Sequence, residues 1–234
     1  MHFHLPKPLH GWREFVGEVG IIVVGVLIAL GAEQVVEDLH WRHAVRMQRE
    51  ALHEEIQGDL STASYRLLQE PCISRRLNEL MIVFERHKAA QPLGLAGAVG
   101  SPAVLGAATG AWETASHGET LDHMPLDERL DLGAAFHSFA NLSDDLQQES
   151  HIWDDLGRLD HPNILEAADW SDLRAAYARA ARWDTRVAFL AQWILTKQTA
   201  GQKPDVLGPD VVEVIRERPL CKPLLQTEPR QKEL

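Results

Sequence analysis

Apolar side chains are distributed along this chain in two different ways. From Val19 to Ala32, fourteen residues carry no charged or strongly hydrogen-bonding side chain, so a helix there is apolar on every face. Extended to Phe15 and Val36, the run covers 22 residues, matching the ~20 that cross ~30 Å of hydrocarbon. The extension takes in Glu18, Glu33 and Gln34, close enough to the ends for their side chains to reach headgroups. Trp12 and Trp41 flank the run, where indole rings suit the two interfaces. From Val45 onward the pattern becomes amphipathic. Val45, Leu52, Ile56, Leu60, Ala63 and Leu67 form one helical stripe among Arg, Glu and Gln.

The same periodicity predicts the remaining elements. The first helix is expected to run to about Gln69 and stop at Pro71, which lacks the N–H the ladder needs. Ser74 is the expected N-cap of a second helix carrying Leu77, Leu80, Met81 and Phe84. "QPLGLAGAVGSPAVLGAATG", residues 91–110, has no charge and reads as a loop. A short helix follows at Ala111 to Ser116, ending at Gly118. A long one starts at Pro125 with the stripe Leu132, Phe136, Phe139, Leu146, Trp153 and Leu156, and "HPN" at His161 to Asn163 breaks it. Asp169 or Ser171 caps a helix with Leu173, Ala180, Trp183, Val187, Leu190 and Ile194 on one face, and a last short helix fits between Pro209 and Pro219. No strand-like alternation of any length occurs. The expected fold is all-α, an N-terminal transmembrane helix continuing into an antiparallel helical bundle. Its divisions are a short tail (1–14), the transmembrane helix (15–36), the bundle (37–222) and a C-terminal tail (223–234).

Two other readings of the apolar run compete with the anchor. As a signal peptide it has Lys7 and Arg13 as a basic head, Val19 to Leu30 as the apolar region and Ala29-Leu30-Gly31 as a small-x-small cleavage site. Against this, Glu18 directly precedes the apolar region and the helical pattern runs through the supposed cut. A buried helix of a soluble domain is the third reading, and an all-round apolar helix is less often that. Lys7 and Arg13 on one side and Arg42, Arg46 and Arg49 on the other do not fix orientation by count. The short basic head before the apolar run favours a cytoplasmic N-terminus. The expected location is therefore the inner membrane, single-pass, with a periplasmic C-terminal domain. Within the span, Glu18, Gly25, Ala29 and Ala32 share one face, and such small residues let a second helix approach. The expected partners are the lipid bilayer and a membrane protein, or a second copy of the chain.

"WREFVGEVGIIVVGVLIALGAEQVVE" and, later, "GAWETASHGETLDHMPLDERL" resemble segments of an uncharacterised group of proteobacterial proteins with one N-terminal membrane helix. The resemblance implies an anchored helical domain and brings no activity or catalytic residue with it.

Composition narrows function mostly by exclusion. A formal charge of −11 is the wrong sign for a nucleic-acid binder. Cys72 and Cys221, each beside a proline, would form a disulfide in an exported domain and two free thiols in a cytoplasmic one. The twelve histidines include pairs His2/His4 and His40/His43, but neither has a third ligand nearby, and HExxH is absent. "TASHGE" puts Ser116 beside His117, yet helical neighbours point apart. GxSxG, SxxK, GxGxxG and phosphate-loop motifs are missing, and Gly94, Gly97 and Gly100 follow no strand. The pairs Asp144–Asp145 and Asp154–Asp155 read as a solvated face. Trp153 and Trp183 read as core, while Trp193 lies off the stripe, in position to face a partner. No cofactor or metal is called for. The expectation is a non-enzymatic scaffold or accessory subunit of a membrane complex; the alternative is a periplasmic ligand-sensing bundle, and an enzyme with dispersed residues is a third class.

Overall fold

The computed structural model describes residues 11–197, 199–204 and 207–226. Over these the chain is all-α: α1 (Trp12–Leu68), α2 (Glu70–Lys88), α3 (Gly110–His117), α4 (Leu126–Gly157), α5 (Ala167–Lys197) and α6 (Pro209–Glu217), with short 3₁₀ turns between some of them. A single isolated bridge pairs Leu95 with Leu225, and there is no strand among the described residues.

α1 has two halves. From Trp12 to His40 every side chain described is exposed, including Ile21, Ile22 and Ile28 at 76%, 65% and 68%. Burial begins at Val45 and recurs at Leu52, Ile56, Leu60 and Ala63 as the stripe predicts, with Leu67 packed at its edge. α4 rises beside this half in the same sense, since Arg49 meets Glu128 and, further up, Arg66 meets Glu149. α5 returns antiparallel to both, bringing Asp184 to Arg66 and the residues beyond its end, at Gln202, to Gln57.

Several expected boundaries move. The helical path does not stop at Pro71. Gln69 alone interrupts it, and its carbonyl accepts the N–H groups of both Cys72 and Ile73. Pro71 sits in the first turn of α2, where its missing N–H has no cost. Ser74 is therefore inside α2 and is no cap, its hydroxyl donating to Glu70. Met81 is 47% exposed, while Ile73 and Val83 complete the buried face with Leu77, Leu80 and Phe84. α4 buries all six predicted stripe residues but ends at Gly157, ahead of "HPN". Asp169 and Ser171 lie within α5; Asp169 reaches back to accept the Glu166 N–H at 2.8 Å, the third-position half of a capping box. Residues 223–226, assigned to the tail by sequence, are packed on the body, with Leu224 buried.

The interior is two apolar cores stacked along the long axis. One joins the Val45–Ala63 stripe to Leu132–Leu146 and Val187–Ile194. The other joins α2 to Trp153, Leu156, Trp170, Leu173 and Ala180, and is closed by Leu220 and Leu224.

Candidate functional site

Between the two cores lies a buried layer of charge. Arg66 interrupts the α1 stripe after Ala63, Glu149 falls between Leu146 and Trp153 on α4, and Asp184 between Ala180 and Val187 on α5. The Arg66 guanidinium donates from Nε and Nη2 to both Glu149 oxygens at 3.0 and 2.8 Å, from Nη2 to Asp184 at 2.6 Å, and from Nη1 to Glu70 at 2.9 Å. One cation thus faces three carboxylates. Burial opposes the charge on Arg66, but its bonds to Glu149, Asp184 and Glu70 outweigh that and raise its pKa. Burial also raises Glu149, against the pull of Arg66, and pushes Asp184 up to about 6. The layer therefore holds a proton more readily than exposed carboxylates do.

A second buried arginine, Arg76, organises the irregular parts of the chain. It sits on α2 with no exposed surface. Its Nη1 donates to the carbonyls of Ala98 and Val99, and its Nη2 to those of Pro219, Leu220 and Lys222. Its Nε donates to Glu79 at 3.0 Å, and Glu79 in turn accepts the Leu224 N–H. Burial lowers the Arg76 pKa, opposed by Glu79. The loop that sequence could describe only by its lack of charge is thus a strap tied down by side chains from its neighbours. Gln69 exchanges two hydrogen bonds with the Ala103 backbone, Asp160 accepts from Val99, Asp59 from Ala108, and Glu55 from Ala111 and Trp112 at the start of α3. These contacts satisfy backbone groups that a buried loop would otherwise leave unpaired. Asp59, buried with its second oxygen unpartnered, is pushed up to about 7 by desolvation, against the Ala108 hydrogen bond.

Strap and tail approach so closely that side chains are excluded. A Cβ on Gly97 would lie 2.5 Å from the Pro223 carbonyl oxygen, and one on Gly100, at φ +63°, 2.5 Å from the Leu220 nitrogen. Beside this contact Cys72 and Cys221 are joined as a disulfide, with Cα atoms 4.8 Å apart. It ties the tail to α2 next to the Arg76 hub.

The other sequence candidates are placed as follows. Glu18, Gly25, Ala29 and Ala32 are all exposed on the projecting half of α1 and meet nothing in the body. His43 contacts Arg46, and His40 lies edge-on to Trp41. His2, His4 and Lys7 lie outside the described residues. No group of three potential metal ligands occurs among the described residues. Ser116 donates to the Glu113 carbonyl, which also lies 2.7 Å from His117 Nδ1, so both side chains serve the end of α3. Asp144, Asp154 and Asp155 are exposed, but Asp145 is buried and accepts from Arg186 at 2.7 Å, a correction to the solvated-face reading. Trp153 is core, Trp183 is half-buried with its Nε1 donating to the Asp145 carbonyl, and Trp193 is 36% exposed. Trp41, placed by sequence at one end of the apolar run, is stacked on His123 with ring centroids 3.8 Å apart.

No family model, no curated protein and no solved structure matches this chain. What fold and site define is an all-α protein with two stacked cores and one N-terminal helix. Among the described residues that helix alone is long and apolar enough, by length and composition, to cross a membrane.

Proposed function

We propose that the chain is a single-span membrane protein whose helical body serves as a non-enzymatic scaffold or accessory subunit of a membrane complex. The observation that carries this is α1 itself. Its apolar stretch has a mean hydropathy of 2.4 and nothing buried against the body, and the same helix continues without a break to become the spine of the first core. An exposed apolar surface of that size in water would be an association site in any event; in hydrocarbon its helical backbone is self-satisfied. The strongly shifted acids support a structural role, because Asp59 holds the strap and Asp184 the charged layer. The disulfide fits a domain in an oxidising compartment, which favours the periplasmic side. The face of Glu18, Gly25, Ala29 and Ala32 is where a partner helix would pack.

The test is to tag the C-terminus, solubilise native membranes in mild detergent and identify what co-purifies. A stoichiometric membrane partner is the expected result. A lone monomer would contradict the subunit role.

A further inference from the structure

Where α1 leaves the body, a notch of about 440 Å³ opens between it and the 3₁₀ turn Glu119–His123. Its walls are Gln34, Val35, Glu37, Asp38, Trp41 and His123, and a second cleft of about 300 Å³ continues from it, sharing Asp38, Trp41 and His123. We infer that this notch seats the headgroup of an amine-bearing zwitterionic phospholipid of the ethanolamine type. The inference rests on the membrane-span reading above.

Three observations select that occupant. The first is depth. Trp41 lies five residues past Val36, about 7.5 Å along the helix axis, at the outer edge of a headgroup layer ~5–7.5 Å thick on each side of the hydrocarbon. The second is the aromatic wall. Trp41 and His123 both line the notch, stacked on each other with centroids 3.8 Å apart, which holds the indole at the depth where such rings settle in the interface. The third is charge. Asp38 is paired with Arg42 at 2.8 Å and Arg49 with Glu128 at 2.6 Å, while Glu37 has no ion pair among the described residues and lines the notch. One carboxylate is therefore in excess, which disfavours a net-anionic headgroup. A primary ammonium can donate hydrogen bonds to Glu37 where a quaternary one cannot. The Gln34 amide, nearer the hydrocarbon, is left as a donor to the phosphate.

The test uses the full chain in nanodiscs containing equal amounts of phosphatidylethanolamine, phosphatidylcholine and phosphatidylglycerol. Lipids retained after release into the gas phase are counted by native mass spectrometry. Phosphatidylethanolamine should be retained about fivefold over the others, the size of one ion-pair contact at a partly exposed site. Glu37→Gln should bring retention close to parity with the near-ultraviolet circular dichroism unchanged. Equal retention of the three lipids by the wild type, or preference for phosphatidylglycerol, would overturn the headgroup site while leaving the span intact. Failure of the chain to enter nanodiscs at all would overturn the span, and the site with it.

Discussion

Arg66 and Arg76 are both fully buried, ten residues apart on nearly one helical path, yet they are neutralised by different chemistry. Arg66 is surrounded by carboxylates from α2, α4 and α5, and Arg76 chiefly by carbonyls from the strap and the tail. The carboxylates around Arg66 titrate; carbonyls do not. So the middle layer of the body, with three carboxylates on one cation, can answer to pH more than the distal hub, where Glu79 is the one carboxylate bonded to Arg76. The carboxylates belong to the long helices α2, α4 and α5, while the carbonyls belong to the strap and to the short 3₁₀ turn Pro219–Cys221 with its flank, which have few backbone hydrogen bonds of their own. Arg76 takes the place that a strand partner would have in a sheet.

The largest expected effect that can break this contrast is Arg66→Met. It leaves Glu149 and Asp184 buried without a cation, and removal of one partner from a buried pair costs about 3–5 kcal/mol. The cost should be greatest at pH 8 and shrink at pH 5, where the orphaned carboxyls take up protons. Thermal unfolding of the full-length protein in detergent at both pH values checks this. Arg76→Met should cost a similar ~3–5 kcal/mol, but with less change between pH 5 and pH 8, because Glu79 is the one carboxylate bonded to it. A strongly pH-dependent loss there would erase the distinction between the two arginines.

Opening the Cys72–Cys221 link by a double Ser substitution comes next. The bridge closes a separation of 149 residues, for which chain entropy allows up to ~4–5 kcal/mol, with measured gains often smaller. The Arg76 hub should still hold the tail, so hydrogen exchange at residues 219–225 should accelerate without the rest of the body unfolding. Adding Arg76→Met to that variant should release the tail entirely.

Asp184→Asn gives the smallest effect and the sharpest one. The folded-state pKa of Asp184 lies above its unfolded value, so its contribution is complete below about pH 4 and is lost as pH rises through about 6. In the wild type this acid therefore lowers stability progressively across that window. Asn keeps an oxygen for Arg66 and removes the titration. The stability profile between pH 4 and 7 should flatten, with a change at pH 5 within about 1 kcal/mol. An unchanged slope would mean that Asp184 remains ionised throughout.

How far these features could be read from sequence follows the same division. The stripes on α1, α4 and α5 were legible because a helix buries every third or fourth residue, and Leu52, Phe136 and Val187 fall where that period puts them. The strap was not legible, since Glu55, Asp59, Gln69, Arg76 and Asp160, which tie it down, lie 22 to 61 residues away and have only proximity after folding in common. Arg66 is grouped in sequence with the polar residues around the α1 stripe, and nothing in the sequence singles out Arg76. A signal was present, however: Arg66, Glu149 and Asp184 each stand at a position their own stripe reserves for an apolar side chain. Asp145 was hidden for the same reason, as a charge beside Leu146. Ser74 is no cap because Pro71 does not stop the helical path but stands in the first turn of the helix that Gln69 opens. Helical period shows that residues 19–32 have no polar face and that the pattern runs on into the stripe beginning at Val45, and α1 is continuous over both.

The central claim, that α1 leaves the body to cross a bilayer, has a direct test in alkaline carbonate extraction of native membranes. Wild-type chain is expected to stay wholly in the membrane pellet, and a Val24→Arg/Ile28→Arg variant, charged at the middle of the apolar run, is expected to appear in the supernatant with its disulfide-linked body folded. Folded wild-type chain released quantitatively by carbonate would contradict the claim.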